Sequence, residues 1–313
     1  MKSDKIYIGG FTYELGENRH KLDDLEELKG SPDQVTTFRN NGFENYHTSD
    51  MTVLTLAGKA VSKALNKVPV SPETIDAAIF ATSSFGMDNH LKHEDICHFL
   101  LDQGLVNAYP MTSSLSFCGN FLPALKKAVS YLVSNDFNNI LVVVTDIIPK
   151  GTSKLTPPDI AVGSDGASCC ILSKEKISDF IISDINQAVN AELGLLNPDK
   201  DFLKYSSGVS KGIKETVVKT LVSSATEIST ITKVFTNNYS DNVCNGFLRL
   251  LGIPVTKLYS KNISRFGHAG AADICINFSD YQESTERANK ETYLLLSTGP
   301  FMWGSALIQF IQN

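Results

Sequence analysis

The sequence has few of the residues that would build a metal centre or a disulfide framework. Its 313 residues include six cysteines, and no two of them form a C-x-x-C pair. The adjacent pair Cys169 and Cys170 would point to opposite faces of a strand, so these two thiols could not ligate one ion together. We therefore expect no zinc site, no disulfide bonds and no metal at the functional site.

The chain also lacks long apolar runs and clusters of positive charge. Its longest apolar run, around residues 140–144, is far too short to span a bilayer, and the N-terminal MKSDKIYIGGF has no signal-peptide core. The net charge is −6 and the pI is near 5.5, with scattered lysines and arginines. The basic stripe that binds a phosphate backbone is missing. We expect a cytoplasmic protein that binds neither membranes nor nucleic acid.

What the sequence does have is the composition of a globular α/β protein. Hydrophobic residues make up 42% and charged residues 20%, which at this length supports one broad core or two fused halves. Helix-period and strand-like segments alternate, as in α/β folds with buried sheets. The predicted helices cover residues 51–65, 93–101, 119–133, 215–228 and 241–251, and the predicted strands cover residues 75–81, 108–112, 140–146, 233–238, 258–263 and 292–299.

A weak internal repeat places one polar residue at a strand-to-helix corner in each half. The first is Cys118 in SLSFCGNFLPALKKAV, and the second is His268 in ISRFGHAGAADICINF. A strongly apolar strand follows each corner, which makes the two segments comparable. If a pseudo-two-fold axis relates the halves, the corners meet near the centre of the molecule. The sequence then predicts that Cys118 faces His268.

Cys118 stands where a thiol can act as a nucleophile. The free N–H groups and the positive end of the following helix favour a thiolate, and Gly119 lets a substrate approach the backbone. The alternative is a buried cysteine that packs as a small apolar residue, which we expect for the other five. His268 has a similar alternative, because a histidine at such a corner can simply cap or pack.

Five segments, in order, resemble the ketoacyl synthase III branch of the thiolase superfamily. They are SLSFCGNFLPALKKAVSYL, ILVVVTD, VGSDGASCCIL, RFGHAGAAD and TGPFMWGSALIQF, and the resemblance extends over almost the whole chain. It implies an α/β thiolase fold, an α-β-α-β-α layered sandwich of two pseudo-symmetric halves. Those halves would be residues 1–173, with the nucleophile, and residues 174–313, with the histidine. It also implies a homodimer.

The resemblance implies a catalytic set and shows where this chain departs from it. In condensing members, a cysteine works with a histidine and an asparagine that stabilise the enolate left when a malonyl group loses carbon dioxide. Cys118 matches the cysteine. The place of the histidine, in VFTNNYSDN, is taken by Asn237, or by Asn238 if the alignment shifts by one. The place of the asparagine, after RFG, is taken by His268.

This exchange resembles a side branch of the family, the acyltransferases of natural-product tailoring that carry a G-H-x-G-x-x-D segment. Their working set corresponds here to Cys118, His268 and Asp273. Acyl transfer to an alcohol needs a base that removes the proton of the acceptor and a group that orients this base. Asp273 could instead only complement the helix dipole, since a separation of five residues does not place two side chains on one helix face.

The resemblance also implies an oxyanion hole and a donor. The backbone N–H groups of Cys118 and Gly299, in STGPFMWG, would hold the oxyanion, and the neighbouring Pro300 leaves the Gly299 donor intact. Family members that use acyl-CoA hold it with a tryptophan and an arginine, whose places read Val35 and Lys150. We therefore favour the thioester of a carrier-protein phosphopantetheine over CoA, with no bound cofactor.

The leading hypothesis is a ping-pong acyltransferase, in secondary metabolism. Cys118 would take an acyl group from an acyl carrier protein or acyl-CoA, and His268 would activate a hydroxyl or amine of a small-molecule acceptor. The chain length of the acyl group would be set partly by residues 83–89. One alternative is condensation by a rearranged site in which His268 and Asn237 exchange places. Another is a non-catalytic partner subunit, against which the intact Cys118 corner argues.

Overall fold

A computed structural model of the chain describes residues 5–86, 91–198, 200–284 and 286–312, and these contain eleven strands and eight α-helices. The strands are β1 (Ile6–Leu15), β2 (Asn18–Lys21), β3 (Asn45–Thr48), β4 (Ala77–Ala81), β5 (Tyr109–Ser113), β6 (Asn139–Asp146), β7 (Gly166–Ser173), β8 (Phe180–Val189), β9 (Ile231–Thr236), β10 (Thr292–Thr298) and β11 (Met302–Phe310). The helices are α1 (Pro32–Asn40), α2 (Val53–Leu65), α3 (His93–Asp102), α4 (Phe121–Val133), α5 (Phe202–Ser223), α6 (Asp241–Leu251), α7 (Lys261–Phe266) and α8 (Asp273–Ser284). None of these helices has the length and hydropathy needed to cross a membrane.

Nine strands form one mixed sheet in the order β5-β4-β6-β7-β1-β8-β11-β10-β9, and β2 pairs separately with β3. The strands β5, β4 and β6 are parallel, whereas β7 runs antiparallel to both β6 and β1. Between β1 and β8 the pairing is confined to Ile6 with Ile182 and Tyr7 with Ile181. The sheet therefore consists of two parts with a narrow joint.

The second part of the sheet repeats the strand order of the first. The strands β9 and β10 are parallel, and β11 runs antiparallel to both β10 and β8. Leu258 makes one parallel bridge with Val234 of β9, at the position that corresponds to β5 in the first part. The same strand order therefore occurs in both parts of the sheet. The predicted division of the chain into halves between residues 173 and 174 stays a prediction.

The helices pack on the two parts of the sheet through three apolar cores. The first core packs α2 and α3 on one part, as at Leu56 and Phe99. The middle core holds α4 and α8 between the two parts, and the third packs α5 and α6 on the outside of the second part. Cys169 and Cys170 of β7 point into different cores, as neighbours in a strand must. The result is a layered α/β sandwich with α4 and α8 at its centre.

Most predicted elements are confirmed, with two corrections in the second half. The strand predicted at residues 258–263 is wrong, because only Leu258 bridges to the sheet and the chain then forms α7. The helix predicted at residues 215–228 is α5, which begins much earlier, at Phe202, and ends at Ser223. Its first turns contain the weak helix formers Ser206, Ser207 and Gly208, which hid the helix in the sequence.

Candidate active site

Cys118 lies in a tight turn between β5 and α4 that buried polar contacts hold in place. The turn is a single 3₁₀ turn, Phe117–Gly119, and Phe117 before the cysteine has a left-handed backbone with φ of 49°. The fully buried Asn120 accepts a hydrogen bond from the Ser116 N–H at 2.8 Å and donates to Ser83 Oγ at 3.1 Å. This asparagine fixes the strained backbone around Cys118.

The His268 corner follows helix α7, so the predicted strand-to-helix corner is a helix-to-helix corner. Gly267 has φ of 67°, and a Cβ at this position would lie 2.7 Å from the Val162 carbonyl oxygen, so only glycine fits. The His268 N–H donates to that same carbonyl, and its own carbonyl accepts from the Ser164 N–H, both at 2.8 Å. These bonds fix the backbone of the histidine.

Cys118, His268 and Asp273 form a hydrogen-bonded row. The Sγ atom of Cys118 lies 3.1 Å from Nε2 of His268, and Nδ1 of His268 lies 2.5 Å from Oδ2 of Asp273. His268 is 3% exposed and Asp273 is fully buried, whereas Cys118 is partly exposed. Since a carboxylate only accepts hydrogen bonds, Nδ1 carries a proton and Nε2 faces the thiol. The structure thus brings together the three residues that the sequence grouped.

Asp273, the first residue of α8, accepts a backbone hydrogen bond at each oxygen of its carboxyl group. Its Oδ1 accepts from the Ala269 N–H and its Oδ2 from the Asn238 N–H, each at 2.7 Å. The five-residue separation from His268 is bridged because the histidine lies outside the helix and the chain turns at Gly270, which has φ of 61°. Backbone donors therefore orient both oxygens, and Oδ2 also meets the imidazole.

The electrostatics of His268 favour its protonated form while Cys118 is a thiolate. Burial by itself lowers the pKa of the imidazole, but the charges of Asp273 and Cys118 and the hydrogen bonds to both outweigh it, so the pKa is raised well above its usual value. Acylation of Cys118 would remove one of the two charges. The pKa of the imidazole would then be lower. His268 would lose its proton more readily, and the neutral ring could accept a proton from another molecule.

Asn237 uses its whole side-chain amide to join three backbone segments around this row. Its Nδ2 donates to the carbonyl oxygens of Cys118 at 2.9 Å and Gly270 at 3.1 Å, and its Oδ1 accepts from the Thr298 N–H at 3.1 Å. The side chain is only 1% exposed. Both amide protons are therefore already donated to the protein, and neither points to a substrate in this structure.

Of the two predicted oxyanion donors, one is engaged in a hydrogen bond. The Gly299 N–H donates to the Met302 carbonyl at 2.8 Å and closes the turn between β10 and β11. The Cys118 N–H has no hydrogen-bond partner among the described residues. The role predicted for Gly299 would require this bond to be shared with a substrate oxygen, and it stays a prediction.

Neither Lys150, the predicted donor contact, nor Val35, which stands in the place of the family's tryptophan, is part of this row. Lys150 is 89% exposed and pairs with Asp50 at 3.1 Å, beside a groove of about 800 Å³ between α2 and α3. Val35 lies on α1 and packs partly into the third core. Of the predicted chain-length region, residues 87–89 lie outside the described residues. Ser83 is described, and it bonds to Asn120.

A smaller cavity of about 290 Å³ reaches the Cys118 turn at Ser116 and Gly119. Its lining residues are Ser116, Gly119, Pro123, Gln187, Ala188, Val189, Met302, Trp303 and Gly304. Trp303 itself packs against α5, where a Cβ on Gly212 would come within 2.2 Å of the indole. In the part of the chain that the structure describes, no group of three or more His, Cys, Asp or Glu side chains could hold a metal ion.

Two polar residues of the site were not singled out from the sequence. Asn120 fixes the Cys118 turn, and Asn238, considered only as a shifted alternative to Asn237, orients Asp273 through its N–H and bonds Gly267 through its side chain. The only signal for them is their place, since Asn120 follows the predicted Cys118 corner and Asn238 ends the predicted strand 233–238. Their partners are far away in sequence, so the pattern alone could not assign these roles.

Comparisons with known proteins agree with this architecture. No family model matches the chain. It is similar to the β-ketoacyl-[acyl-carrier-protein] synthase III of Staphylococcus haemolyticus, with 24% identity over 278 residues and 85% of each chain covered. The 3-oxoacyl-[acyl-carrier-protein] synthase III structure from Aquifex aeolicus VF5 superposes with a TM-score of 0.79, at 20% identity over 98% of this chain and 99% of that one. The structure of ChlB3, described as an acyltransferase, gives a TM-score of 0.83, at 19% identity over 99% and 98%. The chain therefore has the predicted α/β thiolase-like fold.

Proposed function

We propose that the protein is an acyltransferase that moves an acyl group from a thioester to a hydroxyl or amine through an acyl-enzyme on Cys118. The observation that carries this proposal is the row in which His268 bridges the Cys118 thiol and the buried Asp273 carboxylate. A nucleophile, a base and a group that orients the base are the parts that two-step acyl transfer needs. Similarity to enzymes named synthases and acyltransferases supports transferase chemistry in general.

The first half-reaction forms the acyl-enzyme. The Cys118 thiolate attacks the carbonyl carbon of the donor thioester while His268 holds the thiol proton, and the oxyanion of the tetrahedral intermediate is placed near the Cys118 N–H. The carbon–sulfur bond of the donor then breaks, and the donor thiol leaves with the proton that His268 held. No bound cofactor is required, because the phosphopantetheine of the carrier protein or CoA is part of the donor substrate.

The second half-reaction passes the acyl group on. His268 takes the proton of the acceptor hydroxyl or amine as its oxygen or nitrogen attacks the acyl carbon. The bond to Cys118 Sγ then breaks, and the thiol is restored with the proton from His268. Asp273 keeps the imidazole in the tautomer that has Nε2 free and stabilises its positive charge. A small-molecule acceptor of secondary metabolism fits the resemblance to tailoring acyltransferases.

Asn237 weighs against decarboxylative condensation. Condensation needs neutral donors that stabilise an enolate oxygen, and the residue in the place of the condensing histidine has both of its amide protons donated to backbone carbonyls. His268 in turn is tied to Asp273, which suits it for taking a proton. The intact row supports an active enzyme over a non-catalytic partner subunit.

Malonyl thioesters are accordingly expected not to be decarboxylated at a useful rate, whereas simple acyl thioesters load Cys118. The measurement is release of labelled carbon dioxide from malonyl-CoA and a malonyl carrier protein, with a β-ketoacyl synthase III assayed in parallel as a positive control. Asn237→His is expected not to restore the release, since the substitution removes the three hydrogen bonds of the Asn237 amide. Carbon dioxide release that depends on Cys118, together with a β-keto product, would support condensation instead.

Asp273→Asn is expected to slow acyl transfer from the loaded enzyme and to move its pH dependence. The transfer step needs neutral His268, so its rate falls as the pH drops through the pKa of the imidazole. Because the Asp273 charge raises that pKa, its removal shifts the midpoint to lower pH. The plateau also falls, though less than when His268 is removed, because the imidazole loses its orienting group. The decay of isolated acyl-enzyme is measured between pH 5 and 9.

The matched control for Asp273→Asn is Asp280→Asn on the same helix. Asp280 bonds Tyr259 and Arg265 and does not touch His268. This variant should keep the midpoint of the wild type. An unchanged midpoint in Asp273→Asn would show that the carboxylate does not act on the imidazole.

For the donor we propose an acyl carrier protein or acyl-CoA, and for the assembly a homodimer. Lys150 stands in the place of the family's donor-binding arginine, and its exposed ammonium group pairs with Asp50. The edge strand β5 supports a dimer. Among the described residues it pairs only with β4, and Tyr109 within it and Leu115 just after it are 66% and 81% exposed.

A further inference from the structure

Tyr239 is a buried residue at the corner after β9 that packs directly on the catalytic row. It is 6% exposed, and its N–H donates to the Asn237 carbonyl at 2.9 Å. Its ring centroid lies 5.0 Å from that of His268, with 48° between the ring planes. Phe247 meets the tyrosine from α6, at 6.5 Å and 83°. The tyrosine ring is therefore held between a phenylalanine and the imidazole.

The contact with Tyr239 restrains a motion that the two hydrogen bonds of His268 leave open. Those bonds run to Cys118 and Asp273 from opposite edges of the imidazole, and they fix the ring within its plane. A ring held only at two edges can still tilt out of plane and lengthen both bonds. An aromatic ring packed at a 48° angle against it opposes this tilt and keeps water from that side.

The hydroxyl of Tyr239 keeps the ring in this position. It donates to the Thr298 carbonyl at 3.0 Å and accepts from Thr298 Oγ1 at 3.2 Å. Burial and the nearby Cys118 raise the pKa of Tyr239 well above its usual value, so the phenol stays neutral and keeps its proton. The side chain is thus uncharged and held in a fixed position against the imidazole.

We infer that Tyr239 is a positioning residue, whose ring holds the imidazole of His268 with Nε2 aimed at the Cys118 thiol. Its effect on acyl transfer rests on the proposed function, but its effect on the Cys118–His268 pair does not. The groups that bear on the charge of this imidazole are Cys118 from the turn before α4, Asp273 from α8 and Tyr239 itself. Asp146, at the end of β6, faces Gly270, and Cys244 of α6 lies behind the tyrosine.

Alkylation of Cys118 by iodoacetamide tests the inference without any acyl donor. Alkylation consumes the thiolate, and His268 at 3.1 Å can hold the thiol proton. Peptide mass spectrometry between pH 5 and 9 compares Cys118 with Cys97, an exposed cysteine in the same protein. We expect Cys118 to react faster than Cys97 below neutral pH in the wild type. Tyr239→Ala should lower the rate at Cys118 roughly tenfold to a hundredfold, since misplacement by about 1 Å has effects of this size.

Two variants separate positioning from a general loss of packing. Tyr239→Phe keeps the ring on the imidazole, so its Cys118 profile should stay within a few-fold of the wild type. Phe247→Ala removes a ring that packs on Tyr239 but leaves the Tyr239 ring on His268 and its hydroxyl bonded to Thr298, so its loss of reactivity should be clearly smaller than that of Tyr239→Ala. Should Tyr239→Ala not fold, as judged by near-UV circular dichroism, Tyr239→Leu keeps apolar volume but no flat face and should give an intermediate loss.

The inference is overturned if a folded Tyr239→Ala or Tyr239→Leu protein alkylates with the wild-type profile, or if Phe247→Ala loses as much reactivity as Tyr239→Ala. It is also overturned if Tyr239→Phe behaves like Tyr239→Ala. Failure of the proposed function would look different, because the alkylation profiles would follow these expectations while no thioester loaded the wild-type enzyme.

Discussion

The Cys118→Ala protein is expected to form no acyl-enzyme and to transfer no acyl group, which is the largest effect that any single change should have. Alanine leaves the imidazole of His268 without its partner at 3.1 Å and leaves the site with no nucleophile. Stability should change little, because the thiol is partly exposed and its loss opens only a small space. Intact-protein mass spectrometry after incubation with acyl thioesters measures the missing acyl mass.

Cys97→Ala is the matched control for this change. Cys97 is exposed on α3, and the other four cysteines are buried in the interior. The control should acquire the acyl mass as the wild type does. Equal labelling of the wild type and Cys118→Ala would remove Cys118 from the proposal, since another side chain would then carry the acyl group.

The His268→Ala protein is expected to load but to transfer poorly. Loading should slow, because His268 no longer holds the thiol proton, but it should continue, because the positive end of α4 still lies beside Cys118. Transfer should lose more, since an alcohol must lose its proton as it attacks. A positioned base contributes roughly 10²- to 10⁴-fold, so the acyl-enzyme should decay slower by about that factor. Rapid-quench measurement of both half-reactions separates the two steps.

His20→Ala serves as the control for His268→Ala. His20 is a partly buried histidine in β2 that bonds Thr48 and takes no part in the row. Thermal denaturation checks that both variants fold. Should His268→Ala fold, load and transfer at the wild-type rate, His268 would be a packing residue of its corner and the proposed base would be wrong.

The grouping of Cys118 with His268 was accessible from the sequence because each lies in a local pattern with a glycine and a following helix. Asp273 was accessible only through the resemblance, since its spacing from His268 does not predict contact. The contact exists because Gly267 and Gly270 take left-handed backbones that turn the chain between α7 and α8. Local sequence therefore predicted that Cys118 and His268 lie together, and tertiary structure adds Asp273 to them.

The roles of Asn237 and Tyr239 could not be read from the sequence. Asn237 was expected beside the substrate, but its amide bonds Cys118, Gly270 and Thr298, which come from three distant segments. Tyr239 has no local pattern at all, because its partners are His268, Phe247 and Thr298. Such roles depend on packing between elements, which periodicity does not encode.

Elements with a strong apolar periodicity were predicted correctly, and elements with a weak one were missed or misassigned. The strand β6 and the helix α4 have clear apolar patterns and lie where they were predicted. The helix α7 was missed because it is short and its buried residues include the polar Asn262, which bonds Asn277. In the same region, the strand expected at residues 258–263 is reduced to the bridge at Leu258.

The acyl group is expected to pass from the donor to Cys118 and from Cys118 to the acceptor. A pulse–chase experiment followed by intact-protein mass spectrometry measures this passage. The wild-type protein is incubated with a panel of acyl-CoA and acyl-carrier-protein thioesters, freed from excess donor, and then given a panel of alcohols and amines. We expect an added acyl mass on Cys118 that disappears with one acceptor while an equal amount of ester or amide forms. An ester or amide that forms without any acyl mass on the protein, at equal rates in the wild type and Cys118→Ala, would contradict this expectation.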